Sequence, residues 1–207
     1  MTLPALQAIL DVDAATRAGW DPLDLATAFL DGGATFVQIR AKHLPSGPFL
    51  DLCDRVVALA RPGGVRVIVN DRADLARLSG ASGVHVGQDD LPPRAVRELL
   101  GRDAIVGFST HTVGQIDAAV SEPITYVAVG PVFGTATKDT GYAAVGLSLV
   151  GEAVRRAKGL PVVAIGGITL ETAPAVRAAG ATSVAVIGDL LAGSGPAHRV
   201  RAFIRAL

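Results

Sequence analysis

The sequence predicts an α/β protein whose strands close into a parallel (β/α)8 barrel, a TIM barrel. Short apolar, β-branched runs alternate with helical patterns eight times along the chain. The runs are almost continuously apolar, as in VRVIV, PVVAI and SVAVI, which is typical of strands buried on both faces of a parallel sheet. No linker, low-complexity tract or shift in composition divides the 207 residues. We therefore expect one TIM-barrel domain over residues 1–207.

The predicted elements follow one another in strand–helix order. The predicted strands span residues 6–11, 36–40, 65–70, 83–86, 105–109, 126–129, 161–165 and 183–187. The predicted helices span residues 22–32, 49–60, 72–79, 92–100, 113–121, 148–158, 170–179 and 197–206. Eight such units in succession favour a closed barrel over a doubly wound open sheet, which is the structural alternative.

Cap and breaker residues support two of the helix boundaries. Thr169 is predicted to cap the eighth helix and Gly180 to end it, since side-chain oxygens favour helix starts and glycine favours helix ends. Pro174 then falls in the first turn, which tolerates proline. Pro92 and Pro93 open the helix after the fourth strand in the same way.

The composition excludes several classes of function. The 19 basic and 19 acidic residues give a formal net charge of zero, which argues against a broad nucleic-acid or membrane-binding surface. No apolar stretch approaches the ~20 residues of a membrane-spanning helix, and the N-terminus lacks the basic start of a signal peptide. The single cysteine, Cys53, is expected to pack within a helix. We expect a cytoplasmic protein with no obligate protein partner.

Polar residues gather at the carboxyl ends of the predicted strands, where the active site of a TIM barrel lies. These positions hold Gln38, Arg40, Lys42, Asn70, Asp71, Gln88, Asp90, Ser109, His111 and Lys138. The chain has only three lysines, and two of them, Lys42 and Lys138, follow strand ends. The sequence therefore predicts a binding site for an anion at this end of the barrel.

Asp71 and Asp90 follow adjacent predicted strands, and Arg40, Lys42 and Lys138 are expected to face them. Carboxylates alone would repel phosphate, whereas Mg²⁺ commonly binds one or two carboxylates together with a polyphosphate. This mixture of charges predicts a Mg²⁺-bound diphosphate. Each aspartate also has a structural interpretation, as a helix cap or a turn residue.

A second sub-site is predicted at Gly166, Gly167, Ile187 and Gly188, after strands seven and eight. Backbone N–H groups in these two loops form the usual phosphate site of a TIM barrel, although a glycine pair after a strand is also a common tight turn. The segment 135–138 holds two hydroxyls and a rare lysine, and we predict that it closes over a ligand.

The four histidines receive different interpretations. His85 lies within a predicted strand and is expected to be a hydrogen-bonded interior residue. His43 and His198 are expected at the surface. His111 lies two residues beyond a predicted strand end, and a catalytic role for it stays open.

Seven segments together resemble the thiamine-phosphate synthase family over nearly the whole chain. They are VQIRAK (37–42), VNDRADLA (69–76), GVHVGQDDLP (83–92), VGFSTHT (106–112), VGPVFGTATK (129–138), VVAIGGIT (162–169) and VAVIG (184–188). Any one of them alone is weak, whereas the ordered set is specific. The resemblance implies a TIM-barrel transferase that couples 4-amino-2-methyl-5-(diphosphooxymethyl)pyrimidine to a thiazole phosphate, giving thiamine phosphate and diphosphate.

The resemblance also implies a set of site residues. The implied ligands of the pyrimidine diphosphate are Gln38, Ile39, Arg40, Ala41, Lys42, Asn70, Ser109 and Lys138. The implied contacts of the thiazole phosphate are Thr135, Ala136, Thr137, Gly167, Ile187 and Gly188. Asp71 and Asp90 are the implied Mg²⁺ ligands, and Arg40 and Lys138 are the implied electrostatic catalysts. Whether the thiazole carries a carboxylate is left open.

This chemistry explains why no nucleophile–base pair is evident in the sequence. Loss of diphosphate leaves a methylene cation that the electron-rich aminopyrimidine stabilises, so catalysis consists of stabilising the leaving charge and holding the thiazole nitrogen in place. The chain departs from the family pattern at three of its positions. They are Ala41 in place of a common Glu, Gly188 in place of a common Ser, and Gln7 in place of a common Tyr.

Three other functions compete with the coupling reaction. A thiazole tautomerase of the same fold would need a general base, for which His111 is a candidate, but would not need the diphosphate-binding set. An aldolase-type barrel would need a Schiff-base lysine, for which only Lys138 is plausible. A non-catalytic binding module would have little use for two metal-binding carboxylates.

Overall fold

In a computed structural model, which describes residues 2–134 and 143–207, eight parallel strands close into a barrel in chain order. The strands are β1 Leu6–Asp11, β2 Phe36–Arg40, β3 Arg66–Asn70, β4 Gly83–Val86, β5 Ile105–Thr110, β6 Tyr126–Val129, β7 Val162–Ile165 and β8 Ser183–Val186. Strand β8 pairs with β1 through Leu6 and Val184, which completes the closure. The predicted TIM barrel is confirmed.

Helices surround the barrel and connect successive strands. They are α1 Val12–Arg17, α2 Pro22–Asp31, α3 Ser46–Ala60, α4 Ala73–Ser79, α5 Pro93–Leu100, α6 Val113–Ala119, α7 Gly146–Arg156, α8 Ala173–Ala178 and α9 Pro196–Ala206. Short 3-10 helices cover Arg61–Gly63 and Gly188–Leu191. No helix in the described part of the chain has the length and apolar composition needed to cross a membrane.

The core has two layers because successive strand residues point to opposite faces of the barrel wall. On β3, Val67 and Val69 pack outward against the helices, whereas Ile68 packs inside the barrel. On β2, Phe36 points inward, so the same parity turns Gln38 and Arg40 toward the interior. Below, the inner layer is mostly apolar but includes the buried polar residues Gln7 and Ser183. At its carboxyl end it carries polar side chains.

Several helix boundaries differ from the sequence expectation (for example, α3 begins at Ser46 rather than at residue 49), and one helix lies outside it. Helix α1 was not predicted, because its six residues are too few to show a helical period; it begins where the Asp11 side chain accepts a hydrogen bond from Ala14 N at 2.8 Å. The predicted cap at Thr169 is wrong. Helix α8 starts only after Thr172, whose hydroxyl accepts a hydrogen bond from Thr169 N at 2.9 Å and so holds a separate turn ahead of the helix.

Other local expectations are confirmed. Pro174 lies in the first turn of α8, and Pro93 is the first residue of α5. Cys53 is fully buried in α3, and burial raises the pKa of its thiol to about 12. A thiol that stays protonated at neutral pH is a packing group rather than a nucleophile.

Candidate active site

A cavity of about 350 Å³ opens at the carboxyl end of the barrel. Polar side chains from β2, β3 and β5 line one part of it, namely Gln38, Arg40, Asn70 and Ser109. Residues of the loops after β7 and β8 line the other part, namely Gly166, Gly167, Ile168, Thr169, Ile187, Gly188 and Asp189. Residues remote in the sequence therefore share one cavity, whose two parts differ in their chemistry.

Arg40 is held at the cavity by a buried ion pair with Asp11, the last residue of β1. The two residues are directly opposite each other in the β1–β2 register, so strand pairing places the carboxylate beside the guanidinium. The Arg40 side chain is 11% exposed, and its Nε has no hydrogen-bond partner among the described residues. An arginine oriented by one carboxylate and still holding a buried donor is suited to binding an anion.

Asp71, Asp90 and Lys42 meet at the ends of β2, β3 and β4. Lys42 Nζ forms an ion pair with Asp71 Oδ2, and Asp90 Oδ2 accepts a hydrogen bond from Gly87 N at 2.7 Å. Burial raises the pKa of Asp71; Lys42 opposes the rise, and the neighbouring Asp90 carboxylate, within hydrogen-bonding reach, adds to it. The structure thus brings the two predicted carboxylates to one place, beside a cation.

The backbone at Asp71 is unusual, because its φ of 64° lies in the left-handed region. Its N–H donates to the carbonyl of His85 on the next strand at 2.7 Å, which holds this conformation. Outliers of this kind cost free energy and concentrate at functional sites. The conformation therefore favours a functional interpretation of Asp71 over a role as an ordinary helix cap.

The Asp71–Asp90 pair fits a magnesium ion better than a closed structural metal site. Among residues 2–134 and 143–207, no group of three or more His, Cys, Asp or Glu side chains is arranged around one point. Mg²⁺ is usually bound by one or two carboxylates, with water and phosphate oxygens completing the octahedron. Two neighbouring carboxylates beside the Lys42 ammonium match that donor set.

Ser109 is supported from inside the barrel by His85 and Tyr126. His85 Nδ1 lies 2.9 Å from the Tyr126 hydroxyl, and His85 Nε2 lies 2.8 Å from Ser109 Oγ. Burial raises the pKa of Tyr126, so the phenol keeps its proton at neutral pH. The two ring nitrogens of His85 therefore link the Tyr126 hydroxyl to the Ser109 hydroxyl, and this link holds Ser109 at the cavity.

The glycine loop after β7 is tightly packed against the segment after β6. Gly167 has a φ of 62°, and a Cβ atom there would lie 2.5 Å from the carbonyl oxygen of Gly134. Phe133 N donates to the carbonyl of Gly166 at 2.9 Å. Only glycine permits both this conformation and this approach, so backbone groups rather than side chains face the cavity here.

The structure distributes the predicted site residues unevenly. Seven of them line the cavity, namely Gln38, Arg40, Asn70, Ser109, Gly167, Ile187 and Gly188. Lys42, Asp71 and Asp90 lie outside the lining and form their own cluster. Ile39 and Ala41 pack in the outer core layer, so any ligand contact by Ile39 would come from its backbone. Thr135, Ala136, Thr137 and Lys138 lie outside the described residues.

The histidines follow the sequence expectation where the structure describes them. His85 is an interior hydrogen-bonded residue, and His43 and His198 are exposed. His111 lines the cavity and donates from Nδ1 to the carbonyl of Gly130 at 2.6 Å, since a carbonyl oxygen can only accept. This bond holds the imidazole in place and leaves its catalytic role a prediction.

Sequence reasoning missed three residues of the site. Asp11 ends a predicted strand and could have been found by the same positional signal as Asn70. Asp189 follows the last predicted strand and could also have been singled out. Tyr126 offers no such signal, because it begins its strand and reaches the site only through His85.

Comparison with known proteins identifies the family. The model of a family described as thiamine monophosphate synthase matches residues 8–190. Over 178 residues the chain is 46% identical to the thiamine-phosphate synthase of Anaeromyxobacter dehalogenans, covering 86% of this chain and 79% of that protein. It is 41% identical over 212 residues to the thiamine-phosphate synthase of Koribacter versatilis, covering 100% of this chain and 97% of that protein.

Solved structures agree with this assignment. The thiamine phosphate pyrophosphorylase from Pyrococcus furiosus has a TM-score of 0.87 at 26% identity, with 97% of this chain and 94% of that chain covered. A 3-hexulose-6-phosphate synthase has a TM-score of 0.69 at 17% identity, covering 98% and 99% of the two chains, and shows the shared fold alone. Because the family model spans most of the chain and relatives match it at over 40% identity, the chain belongs to the thiamine monophosphate synthase family.

Proposed function

We propose that this chain makes thiamine phosphate at the carboxyl end of its barrel, by coupling a pyrimidine methyl diphosphate to a thiazole phosphate with release of diphosphate. Thiamine phosphate synthesis itself follows from family membership and from the closely similar thiamine-phosphate synthases. The observation that carries the assignment of the site is the single cavity that Arg40, Asn70 and Ser109 share with Gly167 and Gly188. The cavity thus offers a polar side-chain wall for one substrate and a backbone wall for the other.

The diphosphate is assigned to the arginine side of the cavity. Arg40 supplies the guanidinium held by Asp11, and Lys42 adds a second cation through its pair with Asp71. Mg²⁺ held by Asp71 and Asp90 would supply positive charge to the oxygens of the leaving diphosphate. Such preorganised charge lowers the cost of the developing anion, since the groups need no reorientation during the reaction.

The pyrimidine ring is assigned to the side chains that point up from the barrel interior. Gln38 and Asn70 are buried and line the cavity, and amides can both donate to and accept from ring nitrogens and an amino group. Ser109 Oγ, held 2.8 Å from His85 Nε2, adds a hydroxyl that can donate or accept. Holding the ring in one orientation places the methylene carbon toward the glycine side of the cavity.

The thiazole phosphate is assigned to the loops after β7 and β8. Gly167 and Gly188 both line the cavity, and their backbone N–H groups can approach a phosphate without side-chain obstruction. We also retain Thr135, Ala136, Thr137 and Lys138 as proposed closing residues. Their assignment rests on the resemblance alone, since they lie outside the described residues.

The competing functions have less support. The tautomerase alternative has none from the similar proteins reported above, which are thiamine-phosphate synthases. A non-catalytic module is excluded by the same relatives, and no finding favours a Schiff-base aldolase. We further propose a single domain over residues 1–207, because one closed barrel contains all the described strands. We also propose a cytoplasmic location, with which a single cysteine is compatible. The proposed partners are phosphorylated small molecules, since a net charge of zero argues against a broad nucleic-acid or membrane-binding surface.

One experiment tests the proposal. The purified chain is mixed with the two heterocycles, with Mg²⁺ or with a chelator, and diphosphate and thiamine phosphate are both quantified. We expect Mg²⁺-dependent formation of the two products in equal amounts. Asp90→Asn should reduce turnover by about 100-fold, the scale of losing one charge-stabilising group. The matched control is Asp89→Asn, an exposed neighbour, which should keep near-normal turnover. Equal losses in both variants would contradict the assignment of Asp90.

A further inference from the structure

A second, partly buried charge pair lies on the opposite side of the cavity, between Asp189 and Arg199. Arg199 Nη2 and Nε lie 2.7 Å and 3.1 Å from Asp189 Oδ2, and Nε also donates to the Asp189 carbonyl at 3.1 Å. The two side chains are 15% and 18% exposed. Arg199 comes from α9, so the last helix of the chain reaches up to the mouth of the barrel.

The same carboxylate oxygen joins the two glycine-containing loops. Leu170 N, in the turn after β7, donates to Asp189 Oδ2 at 2.9 Å. Thr169, which precedes Leu170, and Gly188, which precedes Asp189, both line the cavity. Asp189 is therefore a bridge between the backbone segments that the proposed function assigns to the thiazole phosphate.

A carboxylate at this place raises an electrostatic problem. Asp189 itself lines the cavity, and an uncompensated anion next to a phosphate site would repel the ligand. Arg199 removes the conflict, because its guanidinium contacts the carboxylate through two nitrogens. Glu171 also approaches Arg199, at 3.7 Å, but its side chain is 73% exposed, so water screens its charge.

We propose that Asp189 is a positioning residue of the thiazole-phosphate sub-site and that Arg199 neutralises it. Asp189 holds the loop after β7 to the loop after β8 through Leu170, and Arg199 makes this bridge compatible with an anionic ligand. This inference rests on the proposed function, since it assumes that the phosphate binds between these loops. Neither residue contacts the reacting atoms, so their effect falls on binding of one substrate.

The test distinguishes the neutralisation of Asp189 by Arg199 from the hydrogen bond by which Asp189 joins the two loops. Arg199→Gln leaves an unneutralised carboxylate beside the phosphate, so we expect the KM for the thiazole phosphate to rise about tenfold, or about 1.4 kcal/mol. Its kcat and the KM for the pyrimidine diphosphate should stay within about twofold of wild type. Adding Asp189→Asn removes the uncompensated negative charge, while the amide oxygen of the asparagine can still accept a hydrogen bond from Leu170 N. The double variant should therefore recover a KM within about threefold of wild type.

Controls exclude a general loss of structure. Arg201→Gln removes another arginine of α9, one that donates to the Asp31 carbonyl at 2.9 Å on the outside of the barrel, and should change neither KM. Thermal melting of each variant shows that the barrel is folded, and calorimetric titration with the thiazole phosphate alone measures binding without catalysis. Titration should show the same tenfold loss and recovery as KM.

The outcomes are distinguishable. A double variant that binds the thiazole phosphate no better than Arg199→Gln, or worse, would overturn the neutralisation and leave thiamine phosphate synthesis intact. An unchanged KM in Arg199→Gln would do the same. Absence of thiamine phosphate formation by the wild-type chain would instead overturn the proposed function.

Discussion

The two sides of the cavity, each of which is proposed to bind an anionic group, are built differently. The side formed by β1 to β5 uses side chains that start inside the barrel wall, such as Arg40 and Ser109, and each of these has a partner on a neighbouring strand. The side formed by the loops after β7 and β8 includes the backbone of Gly167 and Gly188, and the Asp189–Arg199 pair joins its two loops.

The difference has a physical origin in strand register. The position of a side chain at a strand end is set by the pairing of its strand with the neighbouring strands. Its partner can therefore come from the adjacent strand, as Asp11 does for Arg40. A loop beyond the strand end has no such register, so backbone contacts and remote side chains must define it. We therefore expect changes on the first side to alter reaction chemistry, and changes on the second to alter binding of one substrate.

The largest effect should follow from loss of the Arg40 charge. We compare the double variant Asp11→Asn with Arg40→Gln against Asp11→Asn alone, so that no buried carboxylate loses its ion partner in the test. Turnover should fall by about 100-fold or more relative to the single variant, because Arg40 is assigned to the leaving diphosphate. Steady-state kinetics should show little change in KM for the thiazole phosphate. A rise in the KM for the thiazole phosphate with unchanged turnover would contradict the expectation that changes on the side built from β1 to β5 alter the reaction chemistry.

A smaller effect should follow from Gly167→Ala. The added methyl meets the Gly134 carbonyl at 2.5 Å, whereas Gly193, with a φ of 73°, has nothing within 4 Å of the same position. Gly193→Ala therefore controls for the cost of the left-handed backbone alone. We expect about a tenfold higher KM for the thiazole phosphate in the Gly167 variant only, measured by steady-state kinetics. Equal effects of the two substitutions would show that the close approach is unimportant.

Of the three sites, Tyr126 should affect activity least. Its substitution should instead change the stability of the fold at high pH. Because burial raises the pKa of Tyr126 above its ordinary value of 10.0, the unfolded chain ionises first as pH rises through that value. The free energy of unfolding should then fall by up to about 1.4 kcal/mol per pH unit. Below pH 10 this contribution is fully present. Tyr126→Phe should lose this tyrosine-dependent part of the slope in denaturant titrations.

A spectroscopic measurement checks the same point directly. The chain has two tyrosines, so Tyr142→Phe leaves Tyr126 as the only phenol. Its phenolate absorbance should stay absent in the folded protein well above pH 10 and appear on unfolding. Ionisation of the folded protein near pH 10 would contradict the raised pKa of the buried Tyr126 phenol.

Most of the side-chain half of the site could be predicted from the sequence, and less of the backbone half. Gln38 and Asn70 end apolar runs, so the barrel fold alone assigns them to the carboxyl end. The predicted cap at Thr169 was wrong for a tertiary reason: Leu170 N is bound by Asp189, 19 residues away, which supports a turn before α8. Helix propensity depends on residues close in the sequence, so it cannot predict that contact.

Apolar periodicity and strand order are enough to predict the barrel, its inward and outward faces and the strand ends that carry polar groups. The charge pairs across the site, Asp11 with Arg40 and Asp189 with Arg199, became evident only in the folded chain. Periodicity assigns a residue to a face, whereas pairing depends on strand register and on helix packing, which bring together residues distant in the chain.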